Sequence, residues 1–191
     1  MTLFVLDLQT ANLTLNTEQF YRLCQANRDL RLERTTTGNL VIMPPTGWET
    51  GYRNSKLIQQ LTNWSDGDGQ GFVFDSSTGF LLPNGAIRSP DTALVKRDRI
   101  DALNPDPDRF LSLCPDFVIE LRSSNDNLVQ LQEKMQDYLE NGLRLGWLIN
   151  PQAREVEIYR AEQPVEVLQS PNSLSGEAVL SNFILDLTKI W

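Results

Sequence analysis

Two carboxylates and two basic side chains occur in segments of the sequence that could hold them rigidly. Asp91 follows a proline, and Glu120 lies within the apolar run 117–121. Arg122 comes two residues after Glu120, and Lys134 lies in the next stretch of helical pattern. Carboxylates that bind a cation, with a basic group beside them, are the smallest set of side chains that metal-assisted hydrolysis of a phosphodiester needs.

Each of these residues also has a purely structural interpretation. Asp91 can be an aspartate at a turn or strand edge, and Lys134 can be a solvated helix lysine. Glu120 lies in an apolar strand, where burying it without a partner would cost several kcal/mol. It therefore faces a cleft, a metal ion or a base, and Arg122 on the same strand face is the candidate partner for a salt bridge. If Glu120 binds a hard cation, the Leu121 carbonyl is a candidate further ligand.

The composition excludes several kinds of active site. The chain has 191 residues and no histidine, which removes Ser-His-Asp triads, histidine bases and histidine metal ligands. Cys24 and Cys114 have no paired spacing and are expected to be buried thiols. The net charge of −8 argues against broad binding to nucleic acid, but it is compatible with a local basic cleft. Catalysis would have to use carboxylates, Lys, Arg, Tyr or a hard cation held by oxygen ligands.

The hydrophobic pattern predicts one α/β (α+β) domain in which a mixed β-sheet is flanked by helices. The length suits a single domain, and 117–121 is the strongest predicted strand. Asn125 or Asp126 is expected to cap the next helix, and Asn141-Gly142 to end it. The pattern further predicts helices at 16–27, 50–64 and 99–103, and strands at 30–34, 40–43, 72–74, 79–83, 86–95, 145–149, 156–159 and 165–168.

Three segments carry a resemblance to a known group of proteins. They are Arg88-Ser89-Pro90-Asp91, the run PDFVIELRS at 115–123 and the run KMQDYLENG at 134–142. Their order resembles the PD-(D/E)XK nuclease superfamily and, more closely, the Uma-type putative restriction endonuclease family. The resemblance covers about 30–159 and is most specific over 115–151. It implies a single restriction-endonuclease-like domain over 1–191, with its nuclease core at about 30–160.

The resemblance also implies roles for individual residues. Asp91 and Glu120 would be catalytic ligands of Mg²⁺ or Mn²⁺, and Lys134 matches the family's helix lysine. Arg122 stands where the superfamily motif has lysine; arginine stabilises phosphate charge but stays protonated, so it cannot act as a base. Glu49 matches the superfamily's acid on the first helix, and Glu33 resembles a glutamate before the family's Gly-containing turn. Either acid can instead be a helix-end or surface charge.

Further basic and aromatic side chains are expected near these residues. Arg53 or Lys56 would join Arg122 and Lys134 around the carboxylates, despite the acidic total charge. Trp147, like Tyr138, is expected to pack beneath the site as a core aromatic residue.

These residues predict a metal-dependent endonuclease that hydrolyses DNA. Two alternatives stay open: a noncatalytic protein that keeps the nuclease fold for binding or complex assembly and, ranked lower, a carboxylate-based glycosidase. A homodimer is expected by analogy, because cutting both strands needs two sites and the apolar segment 183–191 needs cover. No run is apolar enough to span a membrane, and residues 1–7 lack a basic segment before their apolar run, so a cytoplasmic location is expected.

Overall fold

The computed structural model describes residues 4–191, apart from the side chain of Asp68. Residues 1–3, the first part of the segment considered as a leader, lie outside the described residues. The described residues form the helices α1 (Thr17–Ala26), α2 (Trp48–Asp68), α3 (Arg97–Leu103) and α4 (Leu128–Glu140), and a short 3₁₀ helix at Leu187–Lys189. The strands are β1 (Phe4–Leu6), β2 (Arg31–Arg34), β3 (Leu40–Met43), β4 (Gly71–Asp75), β5 (Phe80–Leu81), β6 (Ile87–Arg88), β7 (Thr92–Lys96), β8 (Phe117–Leu121), β9 (Leu145–Asn150), β10 (Glu155–Arg160), β11 (Glu166–Gln169), β12 (Ser173–Ser175) and β13 (Ile184–Asp186).

The central layer is a six-stranded mixed sheet with the strand order β11-β10-β9-β8-β7-β4. β8 and β9 run parallel, whereas β8 pairs antiparallel with β7 and β9 pairs antiparallel with β10. Every residue of β8 and β9 is buried, as expected for apolar strands that are covered on both faces. The predicted mixed sheet flanked by helices is therefore confirmed.

Helices cover this sheet on both faces. On one face, Leu57 of α2 packs in the same cluster as Trp147 of β9. On the other face, Met135 of α4 packs in the same cluster as Val118 of β8. Because side chains alternate along a strand, Glu120 points to the same face as Val118, towards α4.

The smaller sheet is antiparallel, with the strand order β1-β3-β2-β6-β5. The predicted strands at 30–34 and 40–43 are present as the antiparallel pair β2–β3. Helix α1 packs on this sheet through Phe20, which shares a cluster with Leu32 and Ile87. Asn16 caps α1 by accepting a hydrogen bond from the Gln19 amide.

Pro90 marks the point at which the chain passes from the small sheet to the large one. β6 belongs to the small sheet, and β7 belongs to the large sheet. The single strand predicted over 86–95 is therefore wrong: proline has no N–H to donate to a ladder, and its fixed φ interrupts the extended chain. The predicted strands at 72–74 and 79–83 also lie in different sheets, as β4 and β5. The break leaves Asp91 directly before the first residue of β7.

The C-terminal segment packs against the core of its own chain. Phe183, Leu185, Leu187 and Ile190 are buried in the cluster that includes Trp147. The expectation that the apolar segment 183–191 is exposed, and needs a second copy of the chain to cover it, is therefore wrong. Periodicity alone could not reveal this, because the segment is covered by α2, which lies far away in the sequence.

Two helix boundaries differ from the prediction. Asn127, rather than Asn125 or Asp126, caps α4 and accepts a hydrogen bond from the Val129 amide. Asp126 instead accepts a hydrogen bond from the Ser123 amide in the turn between β8 and α4. Helix α2 is longer than the predicted 50–64 and starts directly after Gly47.

Two expectations drawn from composition can be compared with the described residues. Both cysteines are free; Cys114 is buried and Cys24 is half-buried. None of the described helices combines the length and apolarity needed to cross a bilayer.

The close approach of α4 to the large sheet depends on Gly146. A Cβ added at Gly146 would lie 2.5 Å from Met135 Cε, 2.8 Å from Leu143 Cδ2 and 3.3 Å from Val118 Cγ2. Any larger residue would therefore have to displace side chains between β9 and the helix that carries Lys134.

We expect Gly146→Ala to lower the free energy of unfolding by about 1–3 kcal/mol through overpacking. The matched control is Gly67→Ala, because Gly67 lies within α2 with no atom within 4 Å of its added Cβ. That control should gain up to about 1 kcal/mol from helix propensity. Urea denaturation of both variants checks the prediction, and a Gly146→Ala protein as stable as the wild type would contradict it.

Candidate active site

A cleft of about 1130 Å³ opens between the two sheets and the ends of α2 and α4. Five of the predicted site residues line it: Glu33, Glu49, Asp91, Glu120 and Lys134. Leu121, the predicted backbone ligand, also lines it. The described residues that line the cleft do not include Arg122.

Lys134 lies at the centre of the buried part of this cleft. Its Nζ is 2.8 Å from Glu33 Oε1 and 2.8 Å from Glu120 Oε1, and it donates to the Ser89 carbonyl at 3.3 Å. Only 9% of the residue is exposed, so the alternative of a solvated helix lysine is wrong. One ammonium thus joins α4 to β2, to β8 and to the segment between the sheets.

Glu33 is held by cations on two sides. Besides Lys134, it pairs with Arg88 at 3.3 Å and accepts the Ser89 amide at 2.8 Å. Burial favours its neutral form, but Lys134 and Arg88 outweigh this effect and hold the pKa of Glu33 below its ordinary value. Arg88 also makes two hydrogen bonds to Asp137 Oδ2, at 2.9 and 2.8 Å. The interpretation of Glu33 as a surface charge is therefore wrong.

Glu120 has an unusual proton affinity for a carboxylate. Burial raises its pKa to about 8; Lys134 opposes this shift, and the charges of Asp91 and Glu33 add to it. Tyr138, one helical turn after Lys134, donates its hydroxyl to Glu120 Oε1 at 3.1 Å. The alternative of a salt bridge between Glu120 and Arg122 is wrong: among the ion pairs of the described residues, Lys134 is the partner of Glu120.

Asp91 is anchored where the chain enters the large sheet. Its Oδ2 accepts the Leu121 amide at 2.8 Å, and its Oδ1 accepts the Asn54 side-chain amide at 3.3 Å. Burial raises the pKa of Asp91, although the Leu121 amide and Lys134 oppose this shift. The hydrogen bond to Leu121 brings Asp91 next to the end of β8, one residue from Glu120.

The other predicted basic residues lie away from the carboxylates. Arg122 follows the last residue of β8, and its guanidinium donates to the Asp126 carbonyl at 3.3 Å. Arg53 donates to the Ile190 carbonyl and pairs with Glu49 at 3.1 Å, while Lys56 donates to the Gln59 side chain. Glu49 itself lies at the rim of the cleft, with 58% of its side chain exposed.

The cleft is acidic overall. Among the described residues that line it, seven are Asp or Glu and three are Arg or Lys. Of those three, Arg88 and Lys134 are in salt bridges, whereas Arg31 is exposed and donates to the Ser76 hydroxyl. The expected local basic cleft is therefore not formed by this conformation, and the field of the cleft favours cations.

The donor set fits a hard divalent cation that keeps much of its water. Asp91 and Glu120 offer carboxylate oxygens, and Asn54 Oδ1 is a buried acceptor without a hydrogen-bond partner in the described structure. Magnesium is typically held by one or two carboxylates and water rather than by a full protein cage. Within the described part of the chain no three His, Cys, Asp or Glu side chains cluster as a metal-binding group. The residues therefore fit a magnesium-type ion with few protein ligands.

Sequence reasoning missed several members of this network. No role was predicted for Arg88, although it directly precedes Ser89-Pro90 in the motif. Tyr138 was expected only as a core residue; its spacing of four residues from Lys134 is the signal that both share one helix face. Asn54 and Asp137 carry no local signal, because their partners lie far along the chain. Trp147 is a core residue, but it lies on the opposite face of the sheet from Tyr138.

Comparisons with known proteins agree with this architecture. The family model "Uma2: Putative restriction endonuclease" matches residues 17–188. Among solved structures, the chain is similar to "a putative nuclease belonging to DUF820 from Anabaena variabilis ATCC 29413". The TM-score is 0.77, with 92% of this chain and 97% of that chain covered; at 17% identity the likeness shows the fold alone. No curated protein matches the chain. The resemblance drawn from the sequence is confirmed by the family match.

Replacing Lys134 tests the buried ion pairs. Lys134→Met should lower the free energy of unfolding by about 3–5 kcal/mol near pH 9, because two buried carboxylates lose their shared cation. Without that cation, the folded-state pKa of Glu120 rises further above its ordinary value of 4.5, and the pKa of Glu33 rises from the lowered value that Lys134 and Arg88 together maintain. A carboxyl group whose pKa is higher in the folded state than in the unfolded state stabilises the fold at pH values below its unfolded-state pKa, and this contribution is lost as the pH rises through the folded-state pKa. The loss of stability in the variant should therefore become smaller towards about pH 5.

Denaturant titrations of the Lys134→Met protein at several pH values measure this effect. The control is Lys189→Met, which removes an exposed lysine and should change stability by less than about 0.5 kcal/mol. A deficit that is the same at every pH would contradict the ion-pair account.

Proposed function

We propose that this chain, which belongs to the Uma2 family of putative restriction endonucleases, is a magnesium-dependent endonuclease that hydrolyses DNA in the cytoplasm. The observation that carries the proposal is the convergence of Asp91, Glu120 and Lys134 in one cleft. Two carboxylates and an ammonium from three different segments of the chain meet there, although they are far apart in the sequence. A convergence of this kind is expected of an active site rather than of a solvated surface.

Asp91 and Glu120 are the residues that would hold the cation. When bound, Mg²⁺ or Mn²⁺ withdraws charge from the phosphate and makes water a better nucleophile at neutral pH. The Leu121 carbonyl and Asn54 Oδ1 are candidate further oxygen ligands next to Asp91. Because burial raises the pKa of Glu120 to about 8, cation binding would displace a proton from part of the population at neutral pH.

Lys134 would orient Glu120 and stabilise the charge that develops on the scissile phosphate. Its ammonium already contacts Glu120 at 2.8 Å, so a phosphate beside Glu120 would lie within its reach. Glu33, which shares this ammonium, would act as a positioning residue that keeps Lys134 over the cleft. Glu49 at the rim would have at most a supporting role.

Arg122 is proposed to contact a DNA phosphate outside the cleft rather than the scissile one. Its guanidinium lies in the turn after β8 and bonds to a backbone carbonyl, which leaves other N–H groups for an anion. Cutting both strands would need two active sites, so the proposal includes a homodimer whose interface is not formed by the buried segment 183–191.

Cleavage of supercoiled plasmid DNA tests the proposal directly. The wild-type protein should nick or linearise the plasmid with Mg²⁺ or Mn²⁺ and not with EDTA. Asp91→Asn and Glu120→Gln should each lower the rate by at least about a hundredfold, because each removes a charged ligand from the cation. Arg122→Lys should retain most of the activity, because it lies outside the cleft and keeps its charge.

The double variant Asp91→Asn, Glu120→Gln is the control for a contaminating nuclease. Cleavage at the wild-type rate by this variant would place the activity elsewhere. A wild-type protein that binds DNA and never cuts it with any divalent cation would favour the noncatalytic alternative, which the acidic cleft and the engaged Lys134 also suit.

A further inference from the structure

We infer that Trp48 at the mouth of the cleft is a stacking platform for an unpaired base of the nucleic-acid substrate. The inference rests on the proposed function and adds a preference for single-stranded or locally unpaired DNA. The platform is the first residue of α2, and it lines the same cleft as Asp91 and Glu120.

The exposure of Trp48 is the first observation. The residue is 84% exposed, the highest value among the large hydrophobic residues of the described structure. Tryptophan is highly buried on average, so an exposed tryptophan that lines a cleft is a candidate contact for a ligand. Its position as the first residue of α2 places this residue on a regular helix.

A row of residues continues from Trp48 along α2. Tyr52, one turn later, is 52% exposed, and the Lys56 ammonium lies 5.5 Å from its ring centroid. Trp48, Tyr52 and Lys56 lie on one face of α2, because residues four apart share a helix face. Aromatic faces followed by a cation are the combination that binds bases and backbone of a single strand.

The charge of the cleft disfavours binding through phosphate contacts for duplex and single strand alike, but only an unpaired strand can add stacking energy. Duplex binding depends on neutralising many phosphates with Lys and Arg. Here seven acidic residues line the cleft, and two of its three cations are already paired with carboxylates. Stacking does not depend on charge, so an aromatic platform supplies affinity that the acidic walls cannot.

The base that stacks must be unpaired. In a duplex, both faces of each base are covered by its neighbours, so a side chain reaches a base face only where the strand is single or a base has turned out. Stacking on an aromatic side chain is also tolerant of sequence, because every base has a π-face. The structure therefore assigns the cleft mouth to an unpaired nucleotide without a preference for a particular base.

The test compares two substitutions at one exposed position. Trp48→Phe keeps an aromatic face, whereas Trp48→Leu keeps apolar bulk and loses the face. Binding of a fluorescent oligothymidylate is measured by anisotropy with Ca²⁺ as the cation, and an oligonucleotide with abasic sites serves as a probe of equal charge. Circular dichroism confirms that both variants fold.

We expect Trp48→Phe to bind the oligothymidylate within about twofold of the wild type and Trp48→Leu to bind about tenfold more weakly. The abasic oligonucleotide should bind the wild type as weakly as the oligothymidylate binds Trp48→Leu. Duplex of the same length should bind more weakly than the single strand and should be insensitive to either substitution. Quenching of tryptophan fluorescence by the oligothymidylate should be reduced in Trp48→Phe.

Equal binding of the oligothymidylate by the wild type and Trp48→Leu would overturn the inference. The inference would also be overturned if the wild type bound the abasic oligonucleotide as tightly as the oligothymidylate. Loss of self-association in Trp48→Leu with unchanged DNA binding would overturn it in favour of a contact between copies of the chain. These binding results are separate from the plasmid assay. If the wild type cleaves plasmid and Trp48→Leu binds the oligothymidylate normally, only the inference about Trp48 is contradicted. If the wild type binds the oligothymidylate through its bases but never cleaves plasmid, only the nuclease proposal is contradicted.

Discussion

The ammonium of Lys134 is the interaction on which the candidate site depends. It lies 2.8 Å from both Glu33 and Glu120, in a position where either carboxylate alone would be a costly buried charge. Because Glu33 belongs to the small sheet, Glu120 to the large sheet and Lys134 to α4, this one group fixes the relation of three elements around the cleft. Breaking it would therefore disturb both the fold and the chemistry, so activity measurements on Lys134 variants need stability measurements beside them.

The second constraint is the break in the chain at Pro90, which separates β6 from β7. It brings Asp91 to the Leu121 amide and Arg88 to Glu33 and Asp137, on either side of one proline. A short polar segment thus contributes to the network through two side chains that point to different partners. The acids it helps to gather give the cleft a field that favours a cation, while the exposed Trp48 at the rim offers binding that does not depend on charge.

The sequence predicted the parts of this structure that depend on local pattern. The apolar run 117–121 was identifiable as a buried strand, and Asp91, Glu120 and Lys134 were identifiable as a group through their segments. The burial of 183–191 was not predictable, because its cover comes from α2 in the tertiary fold. Arg122 was expected beside Glu120 because side chains alternate along a strand, but β8 ends at Leu121 and the alternation ends with it. The pairing of Lys134 with Glu33 joins segments about a hundred residues apart, which periodicity cannot detect.

The central claim is that Asp91 and Glu120 together hold a divalent cation. The most direct measurement is a crystal structure of the protein with Mn²⁺, in which anomalous scattering locates the ion without reference to activity. We expect a single strong peak in the cleft, with an oxygen of each carboxylate at about 2.1 Å, the distance a magnesium-type ion prefers. An anomalous peak away from both carboxylates, or a cleft that stays empty at saturating Mn²⁺ with Glu120 still bonded to Lys134, would contradict the account.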